Sequence, residues 1–199
     1  MLSYKIHHFK SLSSTQDKAR EFAKKGVSDV VVIAVVQTKG RGRFNRKWYS
    51  DKNGLWMSIL LKPKNVSDLQ HLTFVASIAV VKSIKKITRL NAKIKWPNDV
   101  HYNGKKICGI LTEGIFGKQN YVVVGFGVNV NQSNFPSDIK NLATSLKLVS
   151  KKQINKEKLA NSIIAEFSRL YDNHYNKNKL TEIRNIWKSY SDTLKKNVT

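Results

Sequence analysis

A single cysteine, Cys108, is the only thiol in 199 residues, which excludes an internal disulfide and any CxxC metal site. No apolar run approaches the roughly 18–20 residues that a membrane span needs, so no membrane association is expected. The N-terminal "MLSYKIHHFK" turns basic before any apolar stretch of signal-peptide length; a reduced, cytoplasmic protein is the simplest reading. Acidic residues are scarce, 13 against 36 Lys and Arg, for a formal net charge of +23. Such an excess invites a polyanionic partner, nucleic acid or an acidic protein. The lysines are dispersed, however, with no block of five or more cations. A basic surface spread over the whole fold is therefore preferred, and charge by itself names no ligand.

What is present suits a packed globule. Hydrophobic residues make up 41% and aromatics 10%, well outside disordered composition. The length fits one domain with a sizeable core, or such a domain with a small extension. No internal repeat or low-complexity segment interrupts it.

Periodicity then sets the elements. Hydroxyl residues before Ala19, Phe22 and Ala23, with Gly26 as the stop, predict a helix over Thr15–Lys25. "DVVVIAVVQ" (29–37) and "GLWMSILLK" (54–62) read as buried strands, the second ended by Pro63. "DLQHLTFVASIAVVKSIKKI" (68–87) reads as a mostly buried helix with a basic end. Asn103–Gly104 between "VHY" and "KKICGIL" is a two-residue hairpin signal, and "NYVVVGFGVNVN" (120–131) supplies a strand to pair with it. After Asn155, Leu159, Ile163, Phe167, Leu170 and Tyr171 share a helical face, as do Ile183, Ile186, Trp187 and Tyr190 further on. The result is an α+β design: a mixed, mostly antiparallel sheet with helices on its faces.

Three stretches carry chemistry. "GRGRFNR" (40–46) follows a strand with two glycines and three arginines. Gly40 and Gly42 let the backbone approach a ligand and change shape, while Arg41, Arg43 and Arg46 offer planar forks for carboxylate or phosphate oxygens. The loop is neither a GxxxxGK[ST] phosphate loop nor a dinucleotide fingerprint, whose third glycine would fall on Asn45. In "KWPNDV" (95–100), Pro97 biases Trp96 to an extended shape and leaves Asn98 and Asp99 at a turn tip. That is either a turn with a packed Trp or a rigid presentation of two polar side chains. "KKICGILTE" (105–113) places a lysine at a hairpin mouth, either solvated or turned inward to the same anion as the arginines.

Together and in this order, the three stretches resemble the catalytic domain of biotin–protein ligases: "GRGRFNRKWYS" its biotin-binding loop, "KWPNDV" its KWPND turn, "KKICGILTE" its K-x-x-G-I-L-x-E strand. "SSTQD" (13–17), Gln37, "GFGVNVN" (125–131) and "ATSL" (143–146) fall in order as weaker marks, so the likeness runs from Ser13 to Leu146. One departure is Asn45, where the family loop has a third glycine; Asn tolerates positive φ, so the loop can still close.

The resemblance implies a biotin/lipoate ligase catalytic-domain fold, like that of class II aminoacyl-tRNA synthetases, over residues 1–190. It implies that residues 191–199 begin a missing or truncated C-terminal small β-barrel, and that no N-terminal helix-turn-helix domain is present. The implied reaction activates biotin with ATP and Mg²⁺ as biotinyl-5′-AMP, then transfers it to a lysine of a biotin carboxyl carrier protein, or of the biotinyl domain of a carboxylase. Lys106, Arg43 and Asp99 are the implied catalytic residues. Ser14, Thr15, Gln16, Gln37, Gly40, Arg41, Gly42, Arg43 and Lys106 would bind biotin. Arg43, Arg46, Trp48, Asn98, Asp99, Lys106 and Asn129 would bind ATP, with Asp99 as an indirect or weak Mg²⁺ ligand. Trp48 and Trp96 are the candidate apolar walls, with a core role expected for at least one of them. Homodimerisation is left open, and no specific DNA binding is expected. The rivals are a lipoate-protein ligase and a non-catalytic, basic nucleic-acid-binding module.

Overall fold

The computed structural model describes residues 4–63, 66 and 68–194. The first three residues of the N-terminal segment, and residues 195–199 of the stretch expected to begin a further domain, lie outside them.

A seven-stranded sheet organises the chain, in the order β1-β2-β3-β7-β6-β5-β4. Strand β1 (Lys5–Leu12) runs parallel to β2 (Val30–Gln37), and every other neighbouring pair is antiparallel. Helix α1 (Thr15–Lys24) makes the crossover that parallel strands require. Its N-cap is Ser14, whose Oγ accepts from the Gln16 N–H at 3.2 Å, and Asp17 sits favourably in the first turn.

Strand β3 (Leu55–Leu61) is buried at every position because both of its faces are covered. On one face lies α2 (Leu69–Thr88), apolar nearly all round and ended by Arg89 at φ 61°. Helices α4 (Lys156–Leu170) and α5 (Leu180–Tyr190) pack over it, and Phe167 of α4 meets Phe126 of the sheet edge-to-face at 5.9 Å. The main core, with Ile78, Ile94, Phe126, Phe167 and Trp187 among its members, sits between these helices and the sheet. Helix α1 partly covers the other face over a smaller cluster around Ala19, Val32, Leu60 and Val123.

The remaining strands are β4 (Lys93–Lys95), β5 (Asp99–Tyr102), β6 (Lys105–Ile115) and β7 (Tyr121–Val128). Asn103 and Gly104, at φ 48° and 77°, form the β5–β6 turn with both central residues in the left-handed region, as the Asn-Gly pair predicts. Two strands and a helix were not expected from the sequence. β1 and β4 are the two edges of the sheet, and a short α3 (Leu146–Ser150) follows Ser145. β1 is largely exposed and shows no alternation of apolar residues; its pairing with β2 defines it.

Candidate active site

The glycine–arginine stretch is a small hairpin standing off the sheet. Arg41 and Lys47 form an antiparallel bridge, the Gly42 N–H donates to Arg46 O at 2.8 Å, and the Trp48 N–H donates to Gly40 O at 2.9 Å. Its tip holds Phe44 and Asn45, both at φ 55°. Thus Asn45 does adopt positive φ, and the left-handed residues are these two, not the glycines. Phe44 is 82% exposed. Gly40 is needed for space: a Cβ there would stand 2.4 Å from Ser50 Oγ and 2.6 Å from Trp48 O. At Gly42 the nearest atom would be 3.8 Å away.

This hairpin, the Asn98–Asp99 turn and Lys106 close around a cavity of about 480 Å³ on the α1 side of the sheet. Every sequence-predicted site residue lines it except Gly40, which supports the loop from behind. Trp96 also stays outside the lining and is 54% exposed. Trp48 is the cavity wall and Trp96 is not, and the core tryptophans are Trp56 and Trp187.

The inner end of the cavity is polar. The Thr15 N–H and Oγ1–H both donate to Gln37 Oε1, at 2.8 and 3.1 Å, which fixes the carboxamide so that Gln37 Nε2 donates to Ser50 Oγ at 2.9 Å. Gln16 Nε2 donates to Glu113 Oε2 at 2.8 Å and to Leu111 O at 3.2 Å. Ser58, fully buried on β3, places its hydroxyl 2.8 Å from Thr15 Oγ1 and 3.0 Å from Gln16 Oε1. A ring bearing amide-like donors and acceptors would meet hydrogen-bonding groups already held in place here.

The outer end is cationic. Arg41 is turned away to Asp17, at 2.8 Å, and to Glu113, at 3.6 Å. Its guanidinium therefore anchors the hairpin to α1 and β6. Arg43 Nη1 donates to Asn98 Oδ1 at 3.4 Å, joining hairpin to turn, while Asn98 Nδ2 donates to Ile110 O at 2.8 Å. Arg46 lines the mouth and is exposed.

Lys106 Nζ lies 2.7 Å from Asp99 Oδ1 and 5.0 Å from the centre of the Trp48 ring. Burial alone would raise the Asp99 carboxyl, but contacts with His101 and Lys106 outweigh it and hold the group below the ordinary carboxylate range. Asp99 is thus an anion that orients a cation. The backbone of Lys106 is fixed as well: its N–H donates to Leu142 O at 2.8 Å, and its carbonyl accepts from the Thr144 N–H at 2.9 Å. Asn129 is buried nearby, with Nδ2 3.5 Å from Lys106 O.

Several contributors escape sequence reasoning. Ser58 could have been noticed as the one polar residue in "LWMSILL". Glu113 and Asp17 carry no local signal that they bracket Arg41. Phe135, Ile139 and Leu142 bring an apolar rim from a loop far along the chain. Tyr49 Oη donates to Asp138 Oδ2 at 3.0 Å, tying that loop to the arginine hairpin.

The chain is similar to known proteins over most of its length. The model of the biotin/lipoate A/B protein ligase family matches residues 8–129. The bifunctional ligase/repressor BirA of Bacillus subtilis is 38% identical over 187 residues, covering 90% of this chain and 57% of BirA. The biotin–[acetyl-CoA-carboxylase] ligase of Mycobacterium tuberculosis is 31% identical over 154 residues, 74% of this chain and 56% of that protein. Among solved structures, the biotin protein ligase from Aquifex aeolicus in complex with biotin and ATP superposes with a TM-score of 0.86 at 31% identity, covering 94% of this chain and 78% of that one. The chain belongs to the biotin/lipoate A/B protein ligase family. It spans a little over half the length of the first of these curated relatives, 57%.

Proposed function

We propose that this chain activates biotin with ATP and transfers it to a lysine of a biotinyl carrier domain. The observation that carries the reading is the arrangement of one cavity, with a pre-ordered polar end at Thr15, Gln16 and Gln37 and a cationic end at Arg43, Arg46 and Lys106. The ureido ring of biotin suits the first and its carboxylate the second.

In the first step a biotin carboxylate oxygen attacks the α-phosphorus of ATP. The bond from that phosphorus to the bridging oxygen breaks, and pyrophosphate leaves. Two anions must meet, so cations placed beforehand offset their repulsion and stabilise the growing charge. Lys106 is the group best placed for this, because Asp99 and the Trp48 ring fix its ammonium. In the second step a neutral lysine amine attacks the acyl carbon; the C–O bond to AMP breaks, and the amine proton is lost.

Mg²⁺ is read as arriving with ATP, as part of the substrate. Among the described residues no group of three His, Cys, Asp or Glu could hold a metal. A single carboxylate such as Asp99, together with phosphate oxygens and water, is a common setting for Mg²⁺. Trp48 would flank the nucleotide, and Asn98 and Asn129 would line its side of the cavity.

The test is incubation with ATP, Mg²⁺, labelled biotin and a purified carrier domain, following amide formation, with lipoate as the competing acid. Exchange of pyrophosphate into ATP driven by lipoate and not by biotin would reassign the substrate; exchange with neither would remove the reading.

A further inference from the structure

The cavity floor does not stop at Asp99. Register partners on neighbouring strands share a face of the sheet. One such row runs Gly127, Gly109, Asp99, Lys95, from the floor to the edge strand β4. The next row places Lys93 beside His101 and Lys106 on the same face. Ile94, between the two lysines, points the other way into the main core. Both lysines are exposed, and neither lines the cavity. Trp96 follows them directly, 54% exposed, with its N–H donating to Thr193 Oγ1 at 2.9 Å. The backbone beyond Trp96 is tied to the same edge, where the Asp192 main-chain N–H donates to Ile94 O at 2.8 Å.

From this we infer that Lys93, Lys95 and Trp96 form a docking ledge for the protein acceptor, and that the acceptor presents carboxylates around its target lysine. The inference rests on the ligase reading and deepens it. An incoming lysine is itself a cation, and the mouth it must enter is rimmed by Arg43, Arg46, Lys47 and Lys106, with Lys93 and Lys95 on the approach. Of the carboxylates there, Asp99 is already paired with Lys106 and Asp138 is bonded to Tyr49. A bare lysine would be repelled. One flanked by acidic residues would be drawn in, since complementary fields raise association rates by roughly 10–10³-fold. The exposed indole supplies the flat apolar contact that such an interface needs at its centre.

The experiment measures binding of a purified acidic biotinyl carrier domain to the biotin-loaded protein, without ATP, at low and at physiological ionic strength. Biotin calorimetry accompanies each variant; K93E/K95E should bind biotin normally because neither side chain reaches the cavity. The double variant should bind the carrier about tenfold or more weakly at low salt, with most of the salt dependence gone. W96A should weaken binding by a similar factor at both salt levels, as loss of a contact does. Replacing the acidic residues beside the carrier's target lysine with lysine should weaken binding to the wild type and restore it to K93E/K95E. Unchanged affinity in K93E/K95E, or absence of that rescue, would overturn the ledge. So would a nucleic-acid duplex that binds through these lysines while the carrier does not. Failure of the ligase reading looks different: carrier binding would still depend on Lys93 and Lys95, but ATP and biotin would yield no amide.

Discussion

Gly109 and Gly127 face each other across β6 and β7, and the Trp48 indole lies on the bare backbone of both. A Cβ at Gly127 would stand 2.6 Å from Trp48 Nε1, and one at Gly109 would stand 3.1 Å from its Cζ3. Two absent side chains on adjacent strands therefore make the seat for one aromatic wall, and through it for Lys106, whose ammonium sits above the same ring.

Gly127→Ala should displace the indole and cost about 1–3 kcal/mol by overpacking; Gly109→Ala, with more room, should cost less. Urea unfolding gives the energies, and tryptophan emission reports the shift of Trp48. Equal and negligible costs at both positions would contradict the close seat.

Lys106→Ala should lower biotin-dependent pyrophosphate exchange by about 10²–10³-fold, the usual effect of removing one group that stabilises developing charge. The fold should survive with a loss of about 1–3 kcal/mol, because a half-buried Asp99 loses its partner. Wild-type exchange in this variant would remove Lys106 from the chemistry.

Phe44 occupies a left-handed backbone position without being glycine or asparagine, at a cost of about 1–2 kcal/mol. Phe44→Gly should relieve that strain at the hairpin tip. Amide exchange at Gly42 and Trp48, whose N–H groups close the hairpin, should slow by about tenfold. Faster exchange would show that the aromatic ring, which lies 5.1 Å from the Arg43 guanidinium, stabilises the tip more than its backbone strains it.

The depressed pKa of Asp99 has a definite sign in stability. The group favours the folded state above its unfolded-state value, near 4, and that contribution is lost as pH falls through the lower folded value. Asp99→Asn should therefore flatten the acid limb of the stability curve below about pH 4–5 and leave its slope at neutral pH unchanged. Urea midpoints across that range test it; parallel acid limbs in the two proteins would mean that Asp99 is not depressed.

The elements that sequence reasoning reached are those with internal signals. Thr15–Lys25, Asn103–Gly104 and the face Leu159, Ile163, Phe167, Leu170 each combine periodicity with a cap or a turn residue, and the structure places them within a residue or so of expectation. The edge strands β1 and β4 lack such signals, because one flank of each faces outward and their identity comes from a neighbour. The site shows the same division. Arg43, Asn98, Asp99 and Lys106 stand out in short motifs, but their meeting depends on the β5–β6 hairpin and on a register that no local pattern states. Ser58, Glu113 and the Trp48 seat appear only once distant segments touch. Gly42 and Gly40 looked alike as sequence, and only packing separates the replaceable one from the one with no room for a methyl group.

Among the described residues, the two sides of the sheet are unequally clothed: α2, α4 and α5 lie on one, and α1 shares the other with the cavity. Thermal agitation should thus loosen the cavity side while the thicker side keeps its shape. Inactivation on warming would then precede melting, and bound ligand would act as the missing upholstery on the thin side.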